Sequence, residues 1–275
     1  MPIWTLIGLT KGVAATRWPQ KGGDDGQPGV LGMPRVGPKP CQSGCSACVD
    51  VCPTQAIALG TDTEGHQRPA FDYGRCIACQ LCVEACPEDV LETTHDWAFG
   101  VRERDDLRLP NAPGWDAALA AESAQSLQRC IEGQFKRSLH IRHVDAGSDN
   151  ACESELQALN NPFYNLHRLG IFFTPSPRAA DLLLVTGSIT HAMREPLLAT
   201  WNAMPEPRMV MACGTDAVSG GLAAGGYTSG HGLDGVLPVD LWLPGDPPNP
   251  AAIIQALLML LERMPQRVHE GHIDE

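Results

Sequence analysis

Eight of the chain's eleven cysteines fall in two short blocks, and their spacing constrains the fold more than any other feature. The first block reads Cys41-x3-Cys45-x2-Cys48-x3-Cys52-Pro53, the second Cys76-x2-Cys79-x2-Cys82-x3-Cys86-Pro87. Thiolates so closely spaced can wrap one corner of a cubane. The proline after the last cysteine turns the chain, so that the fourth thiolate points across to a neighbouring site. Such a run supplies three ligands to one [4Fe–4S] cluster and a fourth to the other cluster of a two-cluster ferredoxin. Cys41, Cys45, Cys48 and Cys86 are therefore assigned to one [4Fe–4S] cluster, and Cys52, Cys76, Cys79 and Cys82 to a second. The first block carries one extra residue, and Gly44 has the backbone freedom to absorb it.

The blocks also form an internal repeat. Cys45-Ser46-Ala47-Cys48 with Cys52-Pro53 is echoed by Cys79-Gln80-Leu81-Cys82 with Cys86-Pro87, and a β-hairpin is expected between them, over Gly65 to Tyr73. This predicts an α+β ferredoxin-like domain with pseudo-twofold symmetry. Two zinc sites are the rival reading, because Cys-x2-Cys is also a zinc spacing; the Cys-Pro step closing both blocks favours clusters. A disulfide framework is weaker still, since no secretory signal is evident.

Composition narrows the partners. A chain of 275 residues with 43% hydrophobic residues suits two globular domains. A net charge of −12, with three tyrosines and six phenylalanines, argues against nucleic acid as a partner. No apolar stretch reaches the roughly 20 residues that span a bilayer, and Ala251 to Leu261, broken by Gln255, reads as a core helix near the C-terminus. Free thiols and clusters point to a reducing compartment, so a cytoplasmic setting is expected, with any attachment to the inner membrane made through other subunits.

Five segments follow. Residues 1–40 read as an extended Gly/Pro-rich arm, including Thr16 to Gly26; 41–92 as the two-cluster domain; 93–137 as a connector with a polar helix over Ala117 to Glu132 that carries Cys130 as an incidental thiol. Residues 138–265 alternate β and α elements and 266–275 form a tail. Strands are predicted at Leu139–Val144, Gly170–Phe173, Asp181–Val185, Arg208–Ala212 and Val236–Leu243, and helices at Cys152–Asn160, Ile189–Ala203 and Pro250–Arg263. This alternation implies a parallel sheet whose site lies beyond the carboxyl ends of its strands. Asp149, Asp216 and Asp246 each follow a strand there, with Cys152 close by and Thr186-Gly187-Ser188 at the same edge.

The second half resembles the small, cluster-bearing subunit of group 4 membrane-bound [NiFe]-hydrogenases and formate hydrogenlyases, and the related subunit of respiratory complex I. The likeness rests on His143 to Ser148, Asp181 to Gly187, Met204 to Pro207, Gly220-Gly221, Pro238 to Asp240 and Leu243 to Pro248, in that order over residues 138–263. The resemblance implies a flavodoxin-like α/β fold with a parallel sheet, and a ferredoxin domain fused ahead of it has precedent in the group. It also implies a third cluster on four cysteines, which here align with Asp149, Cys152, Asp216 and Asp246. Thiolates suit Fe–S clusters and carboxylates suit harder cations, so a third cluster is not expected. Two unit charges about 4 Å apart repel by about 4 kcal/mol at an effective dielectric near 20, so the acids need a bound cation, protons, solvent or separation. Glu153 lies close to them; Cys213 reads as a core residue at a strand end, with a rescue-ligand role as the alternative.

The function expected is therefore electron transfer within a multisubunit complex, by a subunit that is not itself catalytic. The resemblance places the nickel ligands in a large subunit, and implies that large subunit, membrane subunits and a soluble electron donor or acceptor as partners. The alternative is a structural docking subunit of a diverged complex, whose acid-lined site holds another metal or protons. A stand-alone metalloenzyme centred on the three acids is a third reading, with no base–nucleophile pair to support it.

Overall fold

The structure is a computed structural model, and residues 3–11, 29–61, 65–109 and 138–264 are described. The arm over Thr16 to Gly26, the helix Ala117 to Glu132 with Cys130, and the tail 266–275 lie outside the described residues. Residues Ile3–Lys11, expected as part of an extended arm, form a helix (α1) with Ile3, Leu6, Ile7 and Leu9 exposed.

The cysteine blocks sit in a small α+β unit. Strand β1 (Arg35–Val36) is followed by helix α2 (Ala47–Val51), strands β2 (Ile57–Thr61) and β3 (Gln67–Asp72), helix α3 (Leu81–Glu84) and strands β4 (Leu91–Glu92) and β5 (Arg108–Leu109). β2 and β3 make the antiparallel hairpin, which begins earlier than Gly65 because Ile57–Thr61 supply its first strand. β4 pairs with β1 and β5 pairs with β3, so strands from outside residues 41–92 complete the unit.

The second unit is a five-stranded parallel sheet. β6 (Leu139–Asp145) leads to helix α4 (Ala151–Ala158) and β7 (Ile171–Phe173); β8 (Leu182–Thr186) leads to helix α5 (His191–Ala203) and β9 (Met209–Cys213). A short helix α6 (Thr215–Ser219) precedes β10 (Leu241–Leu243) and helix α7 (Pro250–Leu260). The order β10-β9-β8-β6-β7, all parallel, is the flavodoxin-like arrangement, with its switch point between β6 and β8. Residues of β8 and β9 are buried throughout, as central strands covered on both faces must be. α7 is also buried along its whole length; Pro250 stands at its first turn, and the Asn249 carboxamide oxygen accepts the Ala252 N–H at 2.7 Å. Two boundaries differ from the sequence reading. Of Val236–Leu243 only the last three residues are strand, since Pro238 has no N–H to give a ladder, and the five-residue α6 had no periodicity long enough to register.

The two units share a core. One cluster of buried side chains runs from Phe71, Tyr73, Cys76 and Cys82 to Val144, Leu183, Val210 and Trp242. Val101 exchanges backbone hydrogen bonds with Trp242 at 2.9 and 2.8 Å, so the chain leaving the first unit caps the β10 edge of the sheet.

Candidate functional site

The cysteines gather as two crossed sets. Cys41, Cys45, Cys48 and Cys86 line one pocket, together with Pro69, Val90 and Leu91. Cys52, Cys76, Cys79 and Cys82 line another, with Phe71, Ile77 and Gln80. The fourth member of each set comes from the other block.

The crossing follows from local geometry. After Cys52-Pro53, Gln55 takes a left-handed conformation (φ 53°); after Cys86-Pro87, Asp89 does the same (φ 49°). Each turn swings a backbone N–H back onto the cysteine four residues earlier: Ala56 N–H to Cys52 Sγ and Val90 N–H to Cys86 Sγ, both at 3.2 Å. Ala78 N–H reaches Cys76 Sγ at 3.4 Å. Donors aimed at sulfur are wasted on a neutral thiol and useful to a metal-bound thiolate.

Electrostatics leads to the same chemistry. Burial, and then the nearby thiols, push Cys82 up to about 12; burial is also the main cause for Cys76, pushed up to about 12. Cys41 and Cys48 are raised by burial first and by neighbouring thiols next. A buried thiol beside other thiols ionises readily only next to a cationic partner, and iron would supply one. Among the described residues, no three His, Cys, Asp or Glu side chains are placed to hold a single metal ion. Two pockets each lined by four cysteines, with the fourth member exchanged between blocks, suit a pair of polynuclear groups.

The third cluster of loops gathers at the carboxyl edge of the parallel sheet. Asp149 follows β6, Asp216 opens α6 after β9, Asp246 follows β10, and Cys152 sits in the first turn of α4. Burial pushes Asp216 up to about 6, with Asp246, Asp149 and Glu153 adding to the effect; Asp246 is raised by burial and by Asp149. Cys152 is raised by burial, then by Cys213, Glu153, Asp246 and Asp216, so its thiol lies within electrostatic reach of two of the three acids. Cys213 is fully buried at the end of β9, with burial and then Glu153 raising its thiol.

Close backbone packing makes this edge. Gly187 has φ +82°, and a Cβ there would lie 2.5 Å from the carbonyl carbon of Gly147. Gly214 has φ +94°, and a Cβ there would lie 2.5 Å from Cys152 Sγ.

Beneath the acids lies a polar network that the sequence reading did not find. Glu153 is buried; its Oε2 accepts from Ser148 Oγ at 2.7 Å and its Oε1 from the Thr186 hydroxyl. His143 Nε2 lies 2.9 Å from Thr186 Oγ1, and burial holds His143 below its ordinary range. Thr186 lies 33 positions from Glu153 and 43 from His143, so no local pattern joins it to them. Thr215 was missed for the same reason: its hydroxyl donates to the Cys76 carbonyl, 139 positions away in sequence, at 3.0 Å.

Comparison with known proteins gives concordant matches. Residues 40–90 match the 4Fe-4S dicluster domain, and residues 150–260 match the family described as NADH ubiquinone oxidoreductase, 20 Kd subunit. Formate hydrogenlyase subunit 7 of Escherichia coli (strain K12) is 39% identical over 157 residues, covering 56% of this chain and 62% of that protein. The chain thus matches less than two thirds of that relative's length. An uncharacterized protein of Methanocaldococcus jannaschii is 42% identical over 123 residues, covering 45% of this chain and 82% of its own. Among solved structures, a chain of the membrane-bound sulfane sulfur reductase, an archaeal respiratory membrane complex, is 32% identical with a TM-score of 0.43, covering 48% of this chain and 73% of that one. A chain of an NAD+-reducing [NiFe]-hydrogenase in the H2-reduced state is 20% identical with a TM-score of 0.40, covering 50% of this chain and 100% of that one. The chain belongs to the family of the 20 kDa subunit of NADH ubiquinone oxidoreductase, with a 4Fe–4S dicluster domain ahead of the family region.

Proposed function

We propose that this chain is a non-catalytic electron-transfer subunit of a complex related to group 4 [NiFe]-hydrogenases and complex I. Cys41, Cys45, Cys48 and Cys86 would hold one [4Fe–4S] cluster, and Cys52, Cys76, Cys79 and Cys82 the other. Residues 41–92 form the heart of the cluster domain and 138–265 the α/β domain. The observation that carries the reading is the crossing of the two blocks, Cys86 joining the first set and Cys52 the second.

The bound clusters supply one-electron chemistry. The chain's own contribution is to hold each thiolate set in an apolar enclosure, to direct the N–H groups of Ala56, Ala78 and Val90 at sulfur, and to keep the two sets side by side.

The third site carries no cluster in this reading. Asp149, Asp216 and Asp246 are hard donors, and a thiol whose charged form is disfavoured, Cys152, is their only matching cysteine. The α/β domain then serves as the docking body for a large subunit and membrane subunits. The relatives support partners of this kind, since one is named as a formate hydrogenlyase subunit and another belongs to an archaeal respiratory membrane complex. Among the described residues, no helix is long and apolar enough to cross a membrane, so membrane association would be peripheral, through those partners.

The reading is tested by electron paramagnetic resonance on chain purified without oxygen and reduced with dithionite. Two interacting S = 1/2 centres are expected. A single centre, or none in metal-replete protein, would overturn it.

A further inference from the structure

Helix α1 has the composition of a core element and the exposure of a surface one. Ile3, Leu6, Ile7 and Leu9 are 66%, 55%, 41% and 72% exposed, whereas α7, also rich in apolar residues, is buried along its whole length. A free helix of fewer than about 12 residues is marginal in water. α1 has nine residues, and Gly8 in its interior weakens it further. A helix of this kind needs a surface to lie on.

Ile3, Leu6, Ile7 and Thr10 follow the i, i+3, i+4, i+7 spacing of one helix face. The Thr10 hydroxyl turns back onto its own helix, 2.8 Å from the Leu6 carbonyl oxygen and 3.2 Å from that of Ile7. The polar group on this face is therefore satisfied without water. Thr5 and Gly8 lie on the opposite side. At about 14 Å the helix is too short to cross a hydrocarbon core of about 30 Å, so it can only lie along a surface.

Charge decides which surface. Residues 1–23 contain Lys11, Arg17 and Lys21 and no acidic residue, in a chain whose net charge is −12. An apolar face beside basic residues fits the boundary between anionic headgroups and acyl chains. Trp4 belongs to the same helix, and tryptophan favours that level. The acidic remainder of the chain would be repelled by such a membrane, which confines the contact to this segment.

We propose that α1 is an interfacial anchor, lying in the headgroup layer of an anionic membrane with Ile3, Leu6 and Ile7 turned to the acyl chains. This adds a direct lipid contact to the peripheral association through other subunits, and it does not depend on the cluster assignment. A short apolar face and a few basic residues each bind weakly, and together they give a reversible contact.

The test uses the full chain, purified without oxygen and sedimented with vesicles. Vesicles containing phosphatidylglycerol should bind it at least about tenfold more tightly than vesicles of phosphatidylcholine alone, and added salt should weaken the binding. A Leu6→Glu, Ile7→Glu double variant should bind at least about tenfold more weakly, with iron content and denaturation midpoint unchanged. Gly8→Ala favours the helix, and its Cβ meets nothing within 4 Å; it should bind about two- to fivefold more tightly. Equal binding to both kinds of vesicle, or binding that the double variant retains, would overturn the proposal. So would a chain that ignores vesicles, whether it stays monomeric or self-associates in a way that the double variant abolishes; the second result would make another copy the occupant of α1. The iron content and reduced signals of the parent chain report on the clusters separately, so failure of that reading is distinguishable from failure of this one.

Discussion

The cysteine pockets and the acid-lined edge are built in similar ways and hold opposite chemistry. In both, loops at the ends of short elements bring four side chains together, and left-handed residues or glycines let those loops approach. In the first unit the side chains are thiols, and backbone N–H groups at Ala56, Ala78 and Val90 are aimed at sulfur. At the edge of the parallel sheet, three of the four are carboxylates, and burial with neighbouring acids pushes Asp216 and Asp246 upward. The loops at this edge are held by strand order and close glycine packing.

The largest expected effect breaks the comparison at the cysteines. Cys86→Ser should cost the cluster held by Cys41, Cys45 and Cys48, not the one held by its own block, and Cys52→Ser should do the converse. Each variant should retain about half of the iron, roughly four atoms per chain, and electron paramagnetic resonance should show which signal is lost. Loss of the same signal in both variants would break the crossed assignment.

Next comes the packing of the acid-lined edge. Gly187→Ala places a Cβ against the Gly147 backbone at a φ of +82°, and should lower stability by about 2–3 kcal/mol in chemical denaturation. Gly44→Ala shares a positive φ but meets nothing within 4 Å, so it should cost only about 1 kcal/mol. Equal losses would mean that the sheet edge is less tightly built than it looks.

The smallest effect is on pH dependence. Burial and neighbouring acids raise Asp216 to about 6 in the folded chain, whereas an unfolded Asp titrates at about 3.9. A raised carboxyl favours the neutral form in the fold, so its contribution is fully present below the unfolded value. That contribution is lost as pH rises through the folded value. Between about pH 4 and 6.5 the parent chain should lose stability through this group, and Asp216→Asn should be flatter over the same range in denaturation midpoints. An Asn variant as steep as the parent would remove Asp216 from the account.

Much of this was legible before the structure, for physical reasons that differ by region. The cysteine blocks are local signals: spacing and the following proline fix where each thiolate points, so the crossed sets could be read directly. The β/α alternation was legible because apolar runs such as Leu182–Thr186 have the length and composition of central strands. The order of those strands was not, since it depends on crossovers that no local pattern encodes. Asp149, Asp216 and Asp246 could be placed at one edge from their positions after strands. The His143–Thr186–Glu153 network and the Thr215 junction join residues 33 to 139 positions apart, and only the folded chain brings them together. The helix Ile3–Lys11 was missed because a nine-residue, apolar-rich run interrupted by Thr5, Gly8 and Thr10 resembles a strand or an arm as much as a helix.

Iron, acid-labile sulfide and all other metals per chain, in protein purified without oxygen, test the central claim most directly. About eight irons with about eight sulfides, and no further stoichiometric metal, is the predicted result for two [4Fe–4S] clusters and an acid-lined site without one. About twelve irons would contradict it, because the carboxylates would then be holding a third cluster.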